Sequence, residues 1–395
     1  MLLSLALIFL CGMVLGAIFE KLKLPNLLGM LISGIILGPY CLNLLDPKIL
    51  SISPELRQIA LIIILTRAGL NLDIKDLKKV GRPAILLCFV PALFEILGAI
   101  ILGPLLLNLS ILDSAILGTV IAAVSPAVIV PKMLKLIKEG YGTNKSIPQM
   151  IMAGASVDDV IVIVLFTSLT NLAQSNTLNL TQFITIPSSI ILGIIVGVII
   201  GLLLTKLFTK IHMRDSSKIV IILSISFLLV TLEQQLSSIM GFSALLAIMT
   251  IGITIQQKKQ ELSKRLSNKF SKLWVSAQVW LFVLVGATVN IAYATKTGIT
   301  ALILIILLLL FRSVGVLICL LKTLLNTKEK TFCTFAYSPK ATVQAAIGGI
   351  PLALNLTCGD TILSVAVLSI LITAPLGATL IENNYKKLLT KKNSL

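Results

Sequence analysis

The sequence predicts an all-α polytopic membrane protein with about 13 transmembrane helices. Its 395 residues are 57% hydrophobic and 12% charged, and the mean hydropathy is +1.04. Apolar runs recur along the whole chain, whereas lysines and arginines gather in alternate connections between those runs. This composition excludes a soluble domain, because such a domain could not bury so large a share of apolar residues.

The apolar runs define the expected spans. They cover approximately residues 2–19, 26–40, 56–72, 83–107, 111–137, 147–172, 184–209, 217–236, 239–255, 271–291, 298–321, 331–354 and 360–381. The first run lacks a basic leading segment and a small-residue cleavage site, so we interpret it as a span rather than a signal peptide. Residues 1–395 are then a single transmembrane domain.

The basic residues predict the orientation of the chain. Most of the 33 lysines and arginines fall in the loops after odd-numbered spans and in the C-terminal tail, and the opposite loops hold only Lys48, Arg57 and Lys296. Because positive loops stay in the cytoplasm, we expect the N-terminus outside and the C-terminus inside a plasma membrane, the inner membrane of a bacterium. The net charge of +17 is then a topology signal, and it indicates a lipid bilayer rather than nucleic acid as partner.

Cysteine and histidine usage predicts no resident cofactor. The six cysteines form no CxxC pair and lie mostly within or beside apolar runs, and His212 lies in a basic loop. We therefore expect neither a disulfide framework nor a structural metal site, and no enzymatic chemistry.

The consecutive aspartates Asp158 and Asp159 are the most informative pair in the chain. They lie inside the run 147–172, where an ionised carboxylate costs about 2.5–3.5 kcal/mol on insertion scales. Two such residues in a row are hard to explain by packing. They predict a cation and proton site near the middle of the membrane.

Two spans are expected to be broken helices. Ser125-Pro126 interrupts the fifth span and Ser338-Pro339 interrupts the twelfth, and each pair has polar neighbours. Proline removes a backbone donor and clashes with the preceding turn. Equivalent breaks seven spans apart predict inverted repeats with two crossed broken helices and a transport site between them.

Three further ionisable residues, Glu95, Arg312 and Lys340, fall deep within spans. Since an unpaired charge is costly there, we expect Glu95 and Arg312 to form a structural ion pair that joins spans 4 and 11.

At these residues the chain resembles the monovalent cation/proton antiporters, most closely the NHA-type sodium/hydrogen exchangers. The matching motifs are TRAGL (66–70) ahead of Asp73, SPAVIVPKM (125–133), KEGYG (138–142), DD (158–159) and PKATVQAA (339–346). The resemblance covers about residues 26–380. It implies the sodium/proton antiporter fold, a homodimer and a role in pH homeostasis.

The resemblance also implies a division of labour within the chain. A core that carries the ion would comprise the spans at about 83–172 and 298–381, and it would slide against a dimerisation scaffold at about 1–72 and 184–291. Asp159 falls at the family's principal cation and proton carrier, and Asp158 at its neighbour. Arg312 and Glu95 match an NHA-type pair. Lys340, on the broken helix, matches a lysine that is also typical of NHA-type members.

The expected function is exchange of sodium or lithium for protons by elevator-type alternating access. Hard cations prefer oxygen ligands, so Asp159 and Asp158 are the expected metal-binding carboxylates, with Ser125, Ser156 and carbonyls near Pro126 as neutral ligands. Adjacent helical positions point about 100° apart, so one aspartate holds the ion while the other bonds to the opposite broken helix at Lys340. The residues expected to shape the breaks and compensate charge are Pro126, Pro339, Lys340, Thr342 and Gln344.

Other functions remain open at this stage. A potassium/proton antiporter of the same fold is the nearest alternative, because nothing in the sequence indicates the radius of the ion that the site selects. A sodium-coupled organic-anion symporter shares crossed broken helices but usually lacks such an aspartate pair. An intramembrane aspartyl protease would need aspartates on two facing helices, and a cation channel would need a filter-like carbonyl run.

The charge balance favours electroneutral exchange. Arginine does not release a proton at workable pH, so Arg312 cannot trade a proton for each cation. If Asp158 stays ionised, only Asp159 cycles and the exchange is one for one. If both aspartates cycle protons against one sodium, the exchange is electrogenic, and the resemblance offers support for this alternative because the aspartate pair is the pattern of electrogenic relatives.

Overall fold

Helices make up the computed structural model, which describes residues 1–72, 81–174, 180–236 and 241–391. Within those residues the only β pairing is a single bridge between Tyr141 and Lys391. Nine helices of that part of the chain are long and apolar enough to cross a membrane, and three shorter apolar helices accompany them. The all-α polytopic fold class is therefore confirmed, and its helices are compatible with thirteen spans. Asp73 lies outside the described residues.

The helices follow the apolar runs in order. The first nine are α1 (Leu2–Lys21), α2 (Asn26–Leu37), α3 (Pro47–Ser51), α4 (Ser53–Asn71), α5 (Arg82–Leu87), α6 (Val90–Leu107), α7 (Ile111–Ala122), α8 (Pro126–Glu139) and α9 (Ile147–Gln174). The others are α10 (Leu180–Lys210), α11 (Asp215–Leu236), α12 (Ala244–Lys258), α13 (Gln260–Ala287), α14 (Ile291–Cys319), α15 (Thr327–Ala336), α16 (Thr342–Ile347), α17 (Ile350–Ala353) and α18 (Gly359–Leu388).

Aliphatic side chains cover the outer faces of these helices. Leu105 is 74% exposed and Ile299 is 76% exposed, although both lie within long apolar helices. Large exposed apolar surfaces are unfavourable in water but match the hydrocarbon of a bilayer. The chain is therefore a multi-pass membrane protein.

The first predicted break lies between α7 and α8. Ala123 and Ser125 have extended backbone, and Pro126 is the first residue of α8. Proline suits the first helical position because that residue needs no N–H donor, and it disfavours helical backbone in the residue before it. The Ser-Pro pair therefore ends one half-helix and starts the next.

The second break lies between α15 and α16. Helix α15 ends at Ala336, Pro339 and Lys340 follow in an irregular segment, and α16 starts at Thr342. A further interruption at Gly348 and Gly349 separates α16 from α17. Both breaks thus occur at the predicted Ser-Pro pairs.

Helix α13 differs from the predicted tenth span, 271–291, because it starts at Gln260. The residues at its start carry several charges and were expected to form a cytoplasmic loop. Leu262, Leu266 and Phe270 are buried at a spacing of four residues, which places them on one helical face. That apolar stripe makes the basic segment a helix.

The described chain forms two compact units. The first consists of Met1–Pro54, Asp76–Val162 and Val279–Leu395, and the second of Glu55–Lys75 and Ile163–Gln278. Both breaks and the buried acids and bases around them, Glu95, Asp158, Asp159, Arg312 and Lys340, belong to the first unit. The division into a moving core (about 83–172 and 298–381) and a dimerisation scaffold (about 1–72 and 184–291) stays a prediction.

Candidate functional site

A buried cluster of three acids and two bases surrounds the two breaks. Arg312 of α14 lies at its centre and is only 1% exposed. Its Nη1 donates to Glu95 Oε2 at 2.9 Å, and its Nη2 donates to Asp158 Oδ2 at 2.8 Å. The guanidinium therefore connects α6, α9 and α14 through two charged hydrogen bonds.

The contact between Glu95 and Arg312 depends on a close approach of α6 and α14. Gly315 lies three residues after Arg312, and a Cβ atom there would lie 2.8 Å from the Cα of Pro91. Pro91 lies four residues before Glu95, on the same side of α6. The missing side chain at Gly315 thus lets the two helices approach where their charges meet.

Asp158 is fully buried and is held by two donors. Besides Arg312, the backbone N–H of Val124 donates to its Oδ2 at 2.9 Å. Val124 lies in the first break, where the interrupted helix leaves this N–H without a partner in its own segment. Asp158 therefore links α9, the aspartate helix, to the first broken helix as a structural anion.

Lys340 of the second break pairs with Glu95. Its Nζ lies 2.7 Å from each of the two carboxylate oxygens, and both side chains are fully buried. The expected pairing of Lys340 with Asp158 is therefore wrong. Arg312 and the Val124 N–H engage Asp158, while Glu95 faces both cations.

Donors from other helices engage the backbone of the first break. Gln344 Nε2 donates to the carbonyls of Ile121 at 3.0 Å and Ala123 at 2.7 Å, and Arg312 Nη1 donates to the carbonyl of Ala122. The expectation that carbonyls of this break are free for a cation therefore needs revision. Three successive carbonyls already accept hydrogen bonds, as helix C-termini generally require.

Asp159 differs from the other two acids. It is 9% exposed, and its Oδ1 has no hydrogen-bond partner among the described residues. None of the ion pairs among the described residues involves the Asp159 carboxylate. Glu95 and Asp158 each have a basic partner, so Asp159 is the acid of the cluster that needs a counter-charge from elsewhere.

Several buried oxygens around the breaks also lack a hydrogen-bond partner within the described residues. They include Ser125 Oγ, Asp158 Oδ1, Thr342 Oγ1 and Gln344 Oε1. Such oxygens suit a hard monovalent cation. Ser156 lies in α9, but its side chain lies outside the part that the structure describes.

Two residues that accept hydrogen bonds from the charge cluster were not predicted from the sequence. The carbonyl of Tyr337 accepts from Arg312 Nε at 2.7 Å, and Thr373 Oγ1 accepts from the backbone N–H of Lys340 at 3.0 Å. Tyr337 was open to prediction, because it stands before the Ser-Pro pair where carbonyls lose their helical partners. Nothing in the sequence around Thr373 indicates its contact.

Comparisons with known proteins agree with this architecture. The family model described as "Sodium/hydrogen exchanger, transmembrane" matches residues 5–382. Human sodium/hydrogen exchanger 9B2 is 33% identical over 414 residues, which cover 97% of this chain and 74% of that protein. The mouse protein of the same name is 35% identical, covering 95% and 71% of the two chains.

A solved structure shows the same fold. The sodium proton antiporter MjNhaP1 from Methanocaldococcus jannaschii superposes with a TM-score of 0.86 at 23% identity, covering 97% of each chain. The fold of this chain, with its two broken helices, is thus that of a known antiporter structure. The family model and the 9B2 proteins show that the chain belongs to the sodium/hydrogen exchanger family.

Proposed function

We propose that this membrane protein, a cation/proton antiporter by family, exchanges sodium or lithium for protons at Asp159. The observation that carries the proposal is the unequal pairing of the three buried acids. Arg312 neutralises Asp158, Lys340 neutralises Glu95, and Asp159 has no basic partner in the described chain. A proton or a monovalent cation would supply the missing positive charge.

The charge count of the cluster supports competition between the two ions. With all groups ionised, the three acids and two bases carry a net charge of −1. One proton or one monovalent cation at Asp159 makes the cluster neutral. An uncompensated charge in a low-dielectric interior costs several kcal/mol, so the empty, ionised site resists moving through the membrane. That resistance couples the outward movement of one ion to the inward movement of the other.

Alternating access of the elevator type would carry the site across the bilayer. The broken helices, the aspartate helix and Arg312 are connected by hydrogen bonds, so we infer that they move as one body. In this proposal the neutral cluster moves against a scaffold that forms a homodimer in the plasma membrane. The N-terminus would lie outside and the C-terminus in the cytoplasm.

Ion-driven proton flux tests the exchange. The protein is reconstituted into liposomes with an acidic interior that contain a pH-sensitive dye. External sodium or lithium is expected to drive protons out and raise the internal pH, whereas potassium leaves it unchanged. Flux with potassium alone would contradict the sodium assignment and favour a potassium/proton antiporter of the same fold.

The pairing of Asp158 predicts electroneutral exchange. Asp158 is fixed by Arg312 and by the Val124 N–H, and the Lys340 ammonium lies against Glu95, so Asp159 is the one group of the cluster left to cycle. Sodium-driven proton flux is therefore expected to be independent of a potential imposed with potassium and valinomycin. A flux that changes several-fold with the sign of that potential would show net charge movement.

A further inference from the structure

The amide of Gln344 connects the two broken helices. This side chain is fully buried in α16, just after the second break, and its Nε2 donates to the carbonyls of Ile121 and Ala123 at the first break. A backbone hydrogen bond also joins the two breaks: the Ser125 N–H donates to the Pro339 carbonyl at 2.8 Å. The breaks are thus fixed to each other at two adjacent points.

Both hydrogens of the Gln344 amide are used, and this fixes the amide orientation. The flipped orientation would place Oε1 against two carbonyl oxygens, which would leave three acceptors without a donor. A neutral residue is needed at this position, because Arg312 already places a positive charge on the neighbouring Ala122 carbonyl. The amide therefore acts as a two-donor clamp on the C-terminal end of α7.

Two unpartnered hydroxyls flank this clamp. Ser125 lies two residues after Ala123 in the first break, and Thr342 lies two residues before Gln344 in α16, the helix after the second break. Both hydroxyl oxygens are buried, and neither has a hydrogen-bond partner among the residues described. Because they belong to different broken helices, the clamp determines how far apart they lie. Ligand spacing and rigidity are among the features that discriminate cations of different size.

We propose that Gln344 is a positioning residue that determines the discrimination between sodium and potassium, an inference that rests on the proposed exchange at Asp159. It acts by holding the oxygens of the two breaks at a fixed separation. Loosening the clamp lets the cavity adapt to a larger cation. The expected loss of discrimination is about tenfold, comparable to the loss of one or two hydrogen bonds.

The test measures apparent KM for sodium and inhibition by potassium in liposomes. The variants are Gln344→Met, which keeps the length but removes both donors, and Gln344→Glu, which keeps an oxygen but places it against two carbonyls. Thr119→Val is the matched control, because in the described part of the chain this buried hydroxyl of α7 bonds within its own helix, to the Ile116 carbonyl at 2.7 Å. The flux of the wild-type protein tests the proposed exchange separately.

Both Gln344 variants are expected to show a higher KM for sodium and stronger inhibition by potassium. Thr119→Val should keep the wild-type ratio of the sodium KM to the potassium inhibition constant. A purely structural role would lower the maximal rate and leave that ratio unchanged, which would overturn the proposal. Wild-type discrimination in Gln344→Glu would also overturn it, because the side chain would then act as an oxygen ligand. If neither variant folds while Thr119→Val does, Gln344 is a folding residue and the specificity role is wrong.

Discussion

Replacing Asp159 with asparagine is expected to abolish sodium-driven proton flux while the protein still folds. The asparagine side chain has nearly the same shape but can neither ionise nor take up a proton. The remaining acids, Glu95 and Asp158, are balanced by Arg312 and Lys340, so the cluster is neutral without cargo. The carboxylate for which sodium and the proton compete is then missing, so flux should fall to that of liposomes without protein.

Thermal stability separates this loss of function from misfolding. Removing a buried charge that has no basic partner among the described residues leaves no stranded counter-ion there, so the melting temperature in detergent should stay equal to that of the wild type or rise. Asp360→Asn is the matched control, since this acid is exposed in the first turn of α18. Near-normal flux in Asp159→Asn would show that another group carries the ions.

Asp158→Asn provides a graded comparison. Its side-chain oxygen still accepts from the Val124 N–H, but the charged contact with Arg312 is lost. We expect a reduced but measurable flux with a changed apparent cation affinity. Equal and complete loss in both variants would instead indicate that the two aspartates act as one site.

Much of the fold was open to prediction from the sequence because each decisive signal is local. Apolar runs of membrane-spanning length define the helices, and a Ser-Pro pair ends one half-helix and begins the next. The start of α13 was missed because its charges suggested a loop, whereas its buried Leu262 and Leu266 share one helical face. Hydropathy averages hide such a stripe, and periodicity reveals it.

The pairing within the charge cluster was only partly predictable. Burial alone requires that Glu95 and Arg312 find partners, and the structure joins them. Whether Lys340 meets Asp158 or Glu95 depends on how segments far apart in sequence pack, and Lys340 lies 245 residues from Glu95. Sequence spacing indicates which residues share a face of one helix, but it does not indicate which faces of different helices meet. The partner of Lys340 could therefore be identified only from the packed structure.

Replacing Arg312 with glutamine is expected to cost about 3–5 kcal/mol of stability, because it strands buried charge. Asp158 loses its charged partner, and the carbonyls of Ala122 and Tyr337 lose a donor. Glu95→Gln should cost less than Arg312→Gln, since Arg312 still pairs with Asp158, although Lys340 loses its partner. The measurement is the melting temperature of each variant in detergent, at matched protein concentration.

The double variant Glu95→Gln/Arg312→Gln tests whether the two residues act as a pair. Its loss should be smaller than the sum of the single losses by about 0.5–3 kcal/mol, the range found for residues in contact. Arg265→Gln is the control, because Arg265 is 57% exposed and its pair with Asp215 is worth only about 0–1 kcal/mol. If the double loss equals the sum of the two single losses, Glu95 and Arg312 are not coupled, and each is stabilised separately by its other contacts.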